Sequence, residues 1–222
     1  MKLFENNEIK IEKFISGALS NNSYLLISKS TEECLIIDVP DNPRELINKI
    51  PRNRFDKSLN LKKIKILITH GHYDHIEGLD LLSERLGELD VHIGFVDANY
   101  LNYSGNVVRL RNQNEINISN LKIDLIYTPG HTEGSICYFA DFDEKKFLFS
   151  GDTLFPGGPG KTTDSQNFKK IYESIKNKIY ILPEETIILP GHGESITLKN
   201  SIKEFNEFEY KNFVFGDVSW KK

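Results

Sequence analysis

Residues 69–75 read T-H-G-H-Y-D-H and hold three of the six histidines in the chain. The apolar run at 64–68 just before them reads as a strand, so the histidines sit in the turn between a buried strand and a helix. His70 and His72 are two residues apart, not four as in a helical zinc site. In a turn such a pair can converge on one ion while Asp74 and His75 point to a neighbouring position. Imidazole nitrogen binds zinc at about 2.0–2.1 Å, so all donors to one ion must meet closely. One short loop cannot close two such sites. A chain that uses this motif must bring further donors to it from distant segments.

Three later segments repeat the same local grammar. T-P-G-H-T-E-G follows the run at 121–127 and delivers His131. S-G-D-T follows the run at 146–150 and delivers Asp152, and L-P-G-H-G follows the run at 186–189 and delivers His192. Each apolar run ends in a turn containing glycine, where the backbone can bend sharply and approach a site closely. His92, in D-V-H-I-G, has no such context and reads as an ordinary strand histidine.

The chain has 222 residues, 39% of them hydrophobic and 27% charged, enough for a sizeable core. Its net charge of -4 offers no positive field to nucleic acid or an anionic membrane. The opening residues MKLFENNEIK hold no apolar run of signal-peptide length, and no stretch suits a membrane span. Cys34 and Cys137 each lie in an apolar run and read as buried core thiols. A cytoplasmic location is expected.

Strands are predicted at 9–15, 24–28, 35–38, 64–69, 91–93, 107–110, 121–127, 136–139, 146–150 and 186–189. Helices are predicted at 43–50, 76–86, 95–103, 164–179 and 198–205. Each half opens with consecutive strands and then mixes in helices. That order favours two packed sheets with helices outside over one doubly wound sheet. With no fixed-period repeat and no linker, a single domain over 1–222 is expected.

The series H-x-H-x-D-H, lone His, lone Asp, lone His resembles the metallo-β-lactamase fold hydrolases over most of the chain. The resemblance implies a four-layer αββα sandwich of two mixed sheets. It also implies that His70, His72 and His131 hold one divalent metal and that Asp74, His75 and His192 hold a second. Asp152 would bridge the two, and Asp38, ending L-I-I-D, would support the ligand loop. Zinc is the default for such a set, and iron or manganese also suits it.

Within that superfamily, G-D-T-L-F-P-G-G-P-G-K-T followed by E-T-I-I-L-P-G-H-G looks like the glyoxalase II branch, the hydroxyacylglutathione hydrolases. G-P-G-K-T-T is not a phosphate loop, because the glycine required five residues before Gly160 is Phe155. The resemblance implies that Lys161 meets an anionic group on the substrate. Thr163 and Glu194 replace aromatic residues of that branch, which points to smaller or less anionic substrates than full glutathione conjugates.

Two ions sharing a water would lower its pKa towards about 7 and supply the nucleophile for a thioester or ester, with Asp74 orienting it. The rivals are a persulfide dioxygenase with one iron, a lactonase, and a metal-free interaction module. The module fits poorly, since unpaired clusters of carboxylate and imidazole are costly to retain. A small-molecule substrate is expected; the oligomeric state is open.

Overall fold

A computed structural model describes residues 1–51, 63–119, 121–211 and 214–220. One sheet runs in the order β1 (Lys2–Glu5), β2 (Ile9–Ser16), β3 (Asn21–Ser28), β4 (Cys34–Ile37), β5 (Ile64–Leu67), β6 (Val91–Gly94) and β7 (Val107–Leu110). It is antiparallel from β1 to β4 and parallel from β4 to β7. The other sheet runs β15 (Ile196–Thr197), β14 (Ile187–Pro190), β11 (Lys146–Gly151), β10 (Ile136–Asp141), β9 (Leu121–Tyr127) and β8 (Glu115–Ile118). A separate two-stranded ribbon joins β12 (Leu154–Phe155) to β13 (Gly158–Pro159).

Alternation along the strands sorts side chains between two faces. Ile9, Ile11, Leu35 and Ile37 from one sheet meet Ile123, Tyr138 and Phe149 from the other in a buried layer between the sheets. The opposite face of the first sheet, with Leu25, Ile36 and Ile66, is covered by α1 (Arg44–Ile47) and α3 (Leu79–Leu86). The opposite face of the second sheet, with Cys137, Leu148 and Ile188, is covered by α4 (Ser165–Ser174) and α5 (Leu198–Asn206). The result is the expected αββα order of layers. Both cysteines are free and buried.

Strand directions explain where the loops emerge. β4 and β5 are parallel, so the residues after each leave at the same end of their sheet. β11 and β14 are parallel, and β9, antiparallel to β10 as β10 is to β11, shares their direction. Cross-links hold the two sets of ends together: Ile136 N–H donates to Thr69 O at 2.9 Å, Asn22 N–H to Gly191 O at 2.7 Å and Tyr138 O–H to Ile68 O at 2.8 Å.

Several elements depart from the sequence expectation. The helix predicted at 76–86 is two pieces, α2 (Tyr73–Ile76) and α3, because Gly78 N–H is taken by Val39 O at 2.9 Å. The helix predicted at 95–103 is only a 3-10 turn, Asp97–Tyr100. The Asp97 carboxylate is committed to backbone groups of two other loops, a use that competes with helix. The helix predicted at 164–179 is capped by Asp164, whose side chain accepts from Gln166 N–H and Asn167 N–H, and its last turn widens into a π-turn over Ile175–Ile179. The short strands β1, β8, β12, β13 and β15 were not expected from sequence.

Candidate metal centre

The four glycine turns open at one end of the two sheets, and their histidines and aspartates converge there. His70, His72 and His131 form one group of donors, Asp74, His75 and His192 another, and Asp152 joins His70 and His75 in a third between them. His72 Nδ1 lies 3.0 Å from His70 Nε2 and 2.9 Å from His131 Nε2. Asp152 faces both sides: Oδ1 is 3.3 Å from His75 Nε2, and Oδ2 is 3.7 Å from His131 Nε2 and 3.6 Å from His192 Nε2. Asp74 Oδ2 is 3.2 Å from His192 Nε2 and 3.7 Å from His75 Nε2. Gly191 leaves the space for this, since a Cβ there would sit 2.4 Å from Asp152 Oδ1 and 2.5 Å from His75 Cε1.

The groups behind the rings decide which nitrogen faces the centre. His75 Nδ1 is 2.8 Å from Asp38 Oδ2, His131 Nδ1 is 2.8 Å from Lys161 O and His192 Nδ1 is 3.2 Å from Leu19 O. Each of those oxygens can only accept, so each Nδ1 carries a proton and each Nε2 is the nitrogen turned to the centre, a lone pair wherever the ring is neutral. Thr69 O–H donates to Asp38 Oδ2 at 2.8 Å, so its oxygen is free to accept from His70 Nδ1 at 3.1 Å. His70 Nε2 is then a lone pair as well. His72 Nδ1 faces both His70 Nε2 and His131 Nε2 but can carry only one proton, so a cation among the three would satisfy all of them. In the same place, His75 Nε2 and Asp152 Oδ1 are buried without a hydrogen-bond partner. Unpaired buried polar atoms of this kind are costly, and a metal ion satisfies them. The donor set therefore fits divalent metal.

The electrostatics point the same way. Burial, with the neighbouring imidazoles, holds His70 well below the usual histidine range, and burial and His131 hold His72 down. Burial opposes charge on His75, but Asp38 and Asp152 outweigh it and push its pKa up to about 10. The Asp74 hydrogen bond raises His192. Burial also opposes charge on both ligand-type carboxylates, yet His192 and Asn21 bonds hold Asp74 down and His75 holds Asp152 down. One half of the site favours neutral donors and the other favours positive charge.

Asp38 lies behind His75 and the Thr69 turn, with Oδ1 accepting from Thr69 N–H at 2.7 Å. His92 lies in β6 and faces Ile66 O at 3.2 Å, away from the cluster. Lys161 is exposed, and its Nζ is 3.9 Å from Asp217 Oδ2, while its carbonyl holds His131. Glu194 is exposed beside Lys13, whose Nζ donates to Gly193 O at 2.7 Å. Two residues were missed in the sequence. Asn21 donates from Nδ2 to Asp74 Oδ2 at 2.8 Å. Asp97, fully buried, accepts from Gly71 N–H and Gly134 N–H at 2.8 Å each and from Thr132 O–H at 2.6 Å, tying the His70–His72 turn to the loop of His131. Neither carries a local signal, because each acts on segments far away in the chain.

Comparison with known proteins agrees with this fold. A family profile described as the metallo-beta-lactamase superfamily matches residues 16–192. A probable metallo-hydrolase of Bacillus subtilis is 32% identical over 195 residues, covering 80% of this chain and 87% of that protein. A hydroxyacylglutathione hydrolase of Buchnera aphidicola is 34% identical over 174 residues; the match covers 78% of this chain but only 63% of that protein. The crystal structure of a B3 metallo-β-lactamase superposes with a TM-score of 0.71 at 25% identity, over 87% of this chain and 96% of that one. The chain belongs to the metallo-β-lactamase superfamily.

Proposed function

We propose that this chain is a metal-dependent hydrolase with a dinuclear centre that cleaves a small thioester or ester. The reading is carried by six ligand-type side chains meeting around Asp152, with histidine Nε2 atoms turned inward by the acceptors behind them. His70, His72 and His131 would hold one ion and Asp74, His75 and His192 the other, with Asp152 placed to serve both. Zinc is proposed; iron or manganese suits the same donors. When bound, such ions supply Lewis-acid activation of a water and of a carbonyl.

The protein's own residues do the rest. Asn21 fixes the plane of Asp74, which orients the attacking water. Asp38 holds His75 and the Thr69 turn rigidly. A thiolate needs little protonation to leave, so no further acid is required. The hydroxyacylglutathione hydrolase relative supports a thioester. Lys161 meets a substrate anion once it parts from Asp217, and Glu194 disfavours a second negative charge at the mouth. The preferred substrates are therefore smaller or less anionic than full glutathione conjugates.

Metal analysis of protein purified without added metal, beside kcat/KM for S-lactoylglutathione and for a small neutral thioester, tests this. Two ions per chain and thioester turnover favouring the small substrate are expected. Lys161→Ala should raise KM for the anionic substrate selectively, and Glu194→Tyr should improve the glutathione conjugate. One iron per chain, with oxygen uptake on a glutathione persulfide, would overturn the hydrolase reading in favour of a dioxygenase.

A further inference from the structure

Residues 214–220 lie far from the metal ligands in sequence, and none of them is of ligand type except Asp217, which is exposed. Yet they run along the loop that joins Asp152 to α4. Thr162 N–H donates to Gly216 O at 3.1 Å and Gly216 N–H donates back to Thr162 O at 2.9 Å. Trp220 N–H donates to Gly157 O at 2.7 Å, and Ser219 O–H donates to the same carbonyl at 3.2 Å. From the other side, α5 holds that loop through Gly157 N–H donating to Glu204 Oε2 at 2.8 Å.

This strap has its own anchor. Trp220 is 1% exposed and sits among the rings of Phe208, Phe205 and Tyr172, with centroids 4.6, 5.2 and 6.3 Å away. A buried tryptophan of this kind contributes a large apolar area and holds a defined orientation. The strap is thus fixed at one end by core packing and along its length by paired backbone bonds.

The loop it clamps is the one that orients a donor. Lys161 O accepts from His131 Nδ1, and that bond sets which nitrogen His131 turns to the centre. Gly160 lies so close that a Cβ there would meet Asp152 O at 1.9 Å and His131 Nδ1 at 3.0 Å. Thr162, the strap's partner, is the residue next to Lys161. A shift of the strap therefore moves the Lys161 carbonyl directly. By contrast, His75 and His192 are oriented by Asp38, just after β4, and Leu19, in the turn between β2 and β3, both at the end of the other sheet.

We propose that residues 214–220, anchored by Trp220, are positioning residues for the ion held by His70, His72 and His131, acting through the Lys161 carbonyl. The inference rests on the metal-binding reading of the site and goes beyond it, in that the two ions depend on different supports. Removing a partner that orders a ligand commonly costs about 10–100-fold in metal affinity. That loss should fall on one ion and spare the other.

The test loads metal-free protein with Co²⁺ and follows the visible absorption bands, with Zn²⁺ affinities taken by competition with a chromophoric chelator. The native chain, Trp220→Ala, Trp220→Phe and Gly216→Pro are compared, with His131→Ala as the reference for the first ion. Gly216→Pro removes the N–H that bonds Thr162 O and cannot hold the φ of +83° found there, but leaves the aromatic cluster alone. It keeps the test sharp if Trp220→Ala fails to fold. Expected is an affinity loss of about 10–100-fold for one ion in Trp220→Ala and Gly216→Pro, altering the same cobalt band as His131→Ala, with Trp220→Phe near native. Unchanged affinities, or equal weakening of both ions, would overturn the proposal while leaving the metal reading intact. A native chain that binds no metal would overturn both.

Discussion

Asp152 reaches both halves of the donor cluster, with Oδ1 towards His75 and Oδ2 towards His131 and His192. Asp152→Ala is expected to lose both ions and activity, and to lower Tm, since metal binding adds directly to folding free energy. Metal analysis with thermal melts checks it; retention of both ions would show that the bridging role is wrong. Asp97 is a different kind of residue. Its carboxylate takes two buried backbone N–H groups, and stranding each costs about 1–3 kcal/mol. Asp97→Ala should therefore lower stability by several kcal/mol, read by denaturant unfolding of the metal-free protein, so that loss of ions does not confound it. His92→Ala should leave metal content unchanged, because its ring bonds within β5 and β6.

Elements place these side chains more than propensity does. α2 is a single turn whose work is to present Asp74 and His75, and its helical partner α3 starts only after Gly78 has bonded to Val39 O. α4 is the opposite case, a helix with a clear local start. Asp164 accepts from two N–H groups at 2.8 Å, and loss of such a cap lowers helix stability. Asp164→Ala should show that loss in urea unfolding without changing metal content. A fall in metal content would mean that the start of α4 also supports the neighbouring loop at 157–162.

At the scale of the molecule, the site sits where the ends of two sheets meet, so it exists only when both are packed. Metal should then stabilise the whole fold, and chelation should lower Tm. The pH dependence has a definite sign. In metal-free protein the folded pKa of His75 is raised from 6.5 to about 10. The stability this gives the metal-free state is fully present below 6.5 and is lost as pH rises through 10. A metal ion instead needs His75 deprotonated at its inner nitrogen, so metal affinity falls as pH is lowered. Both effects widen the Tm gap between loaded and chelated protein from about pH 6 to about pH 9. A gap that narrows over that range would mean that His75 is not a ligand.

The strand ends, the glycine turns and the type of each donor were legible in the sequence, because a strand's alternation and a turn's glycine are local requirements. The layer order followed from the succession of strands and helices. What stayed hidden was every device that acts across the chain. Asp97 looked like part of a helix, since nothing near it in sequence says that Gly71 and Gly134 need its oxygens. Lys161 read as a charge for substrate, but folding uses its carbonyl on His131 and sets Asp217 beside its ammonium group. Trp220 gave no hint of a link to the metal centre. Side-chain type and local backbone preference are properties of neighbours in sequence. The orientation of a ligand ring is fixed by whichever acceptor stands behind it, and only tertiary packing brings that acceptor there.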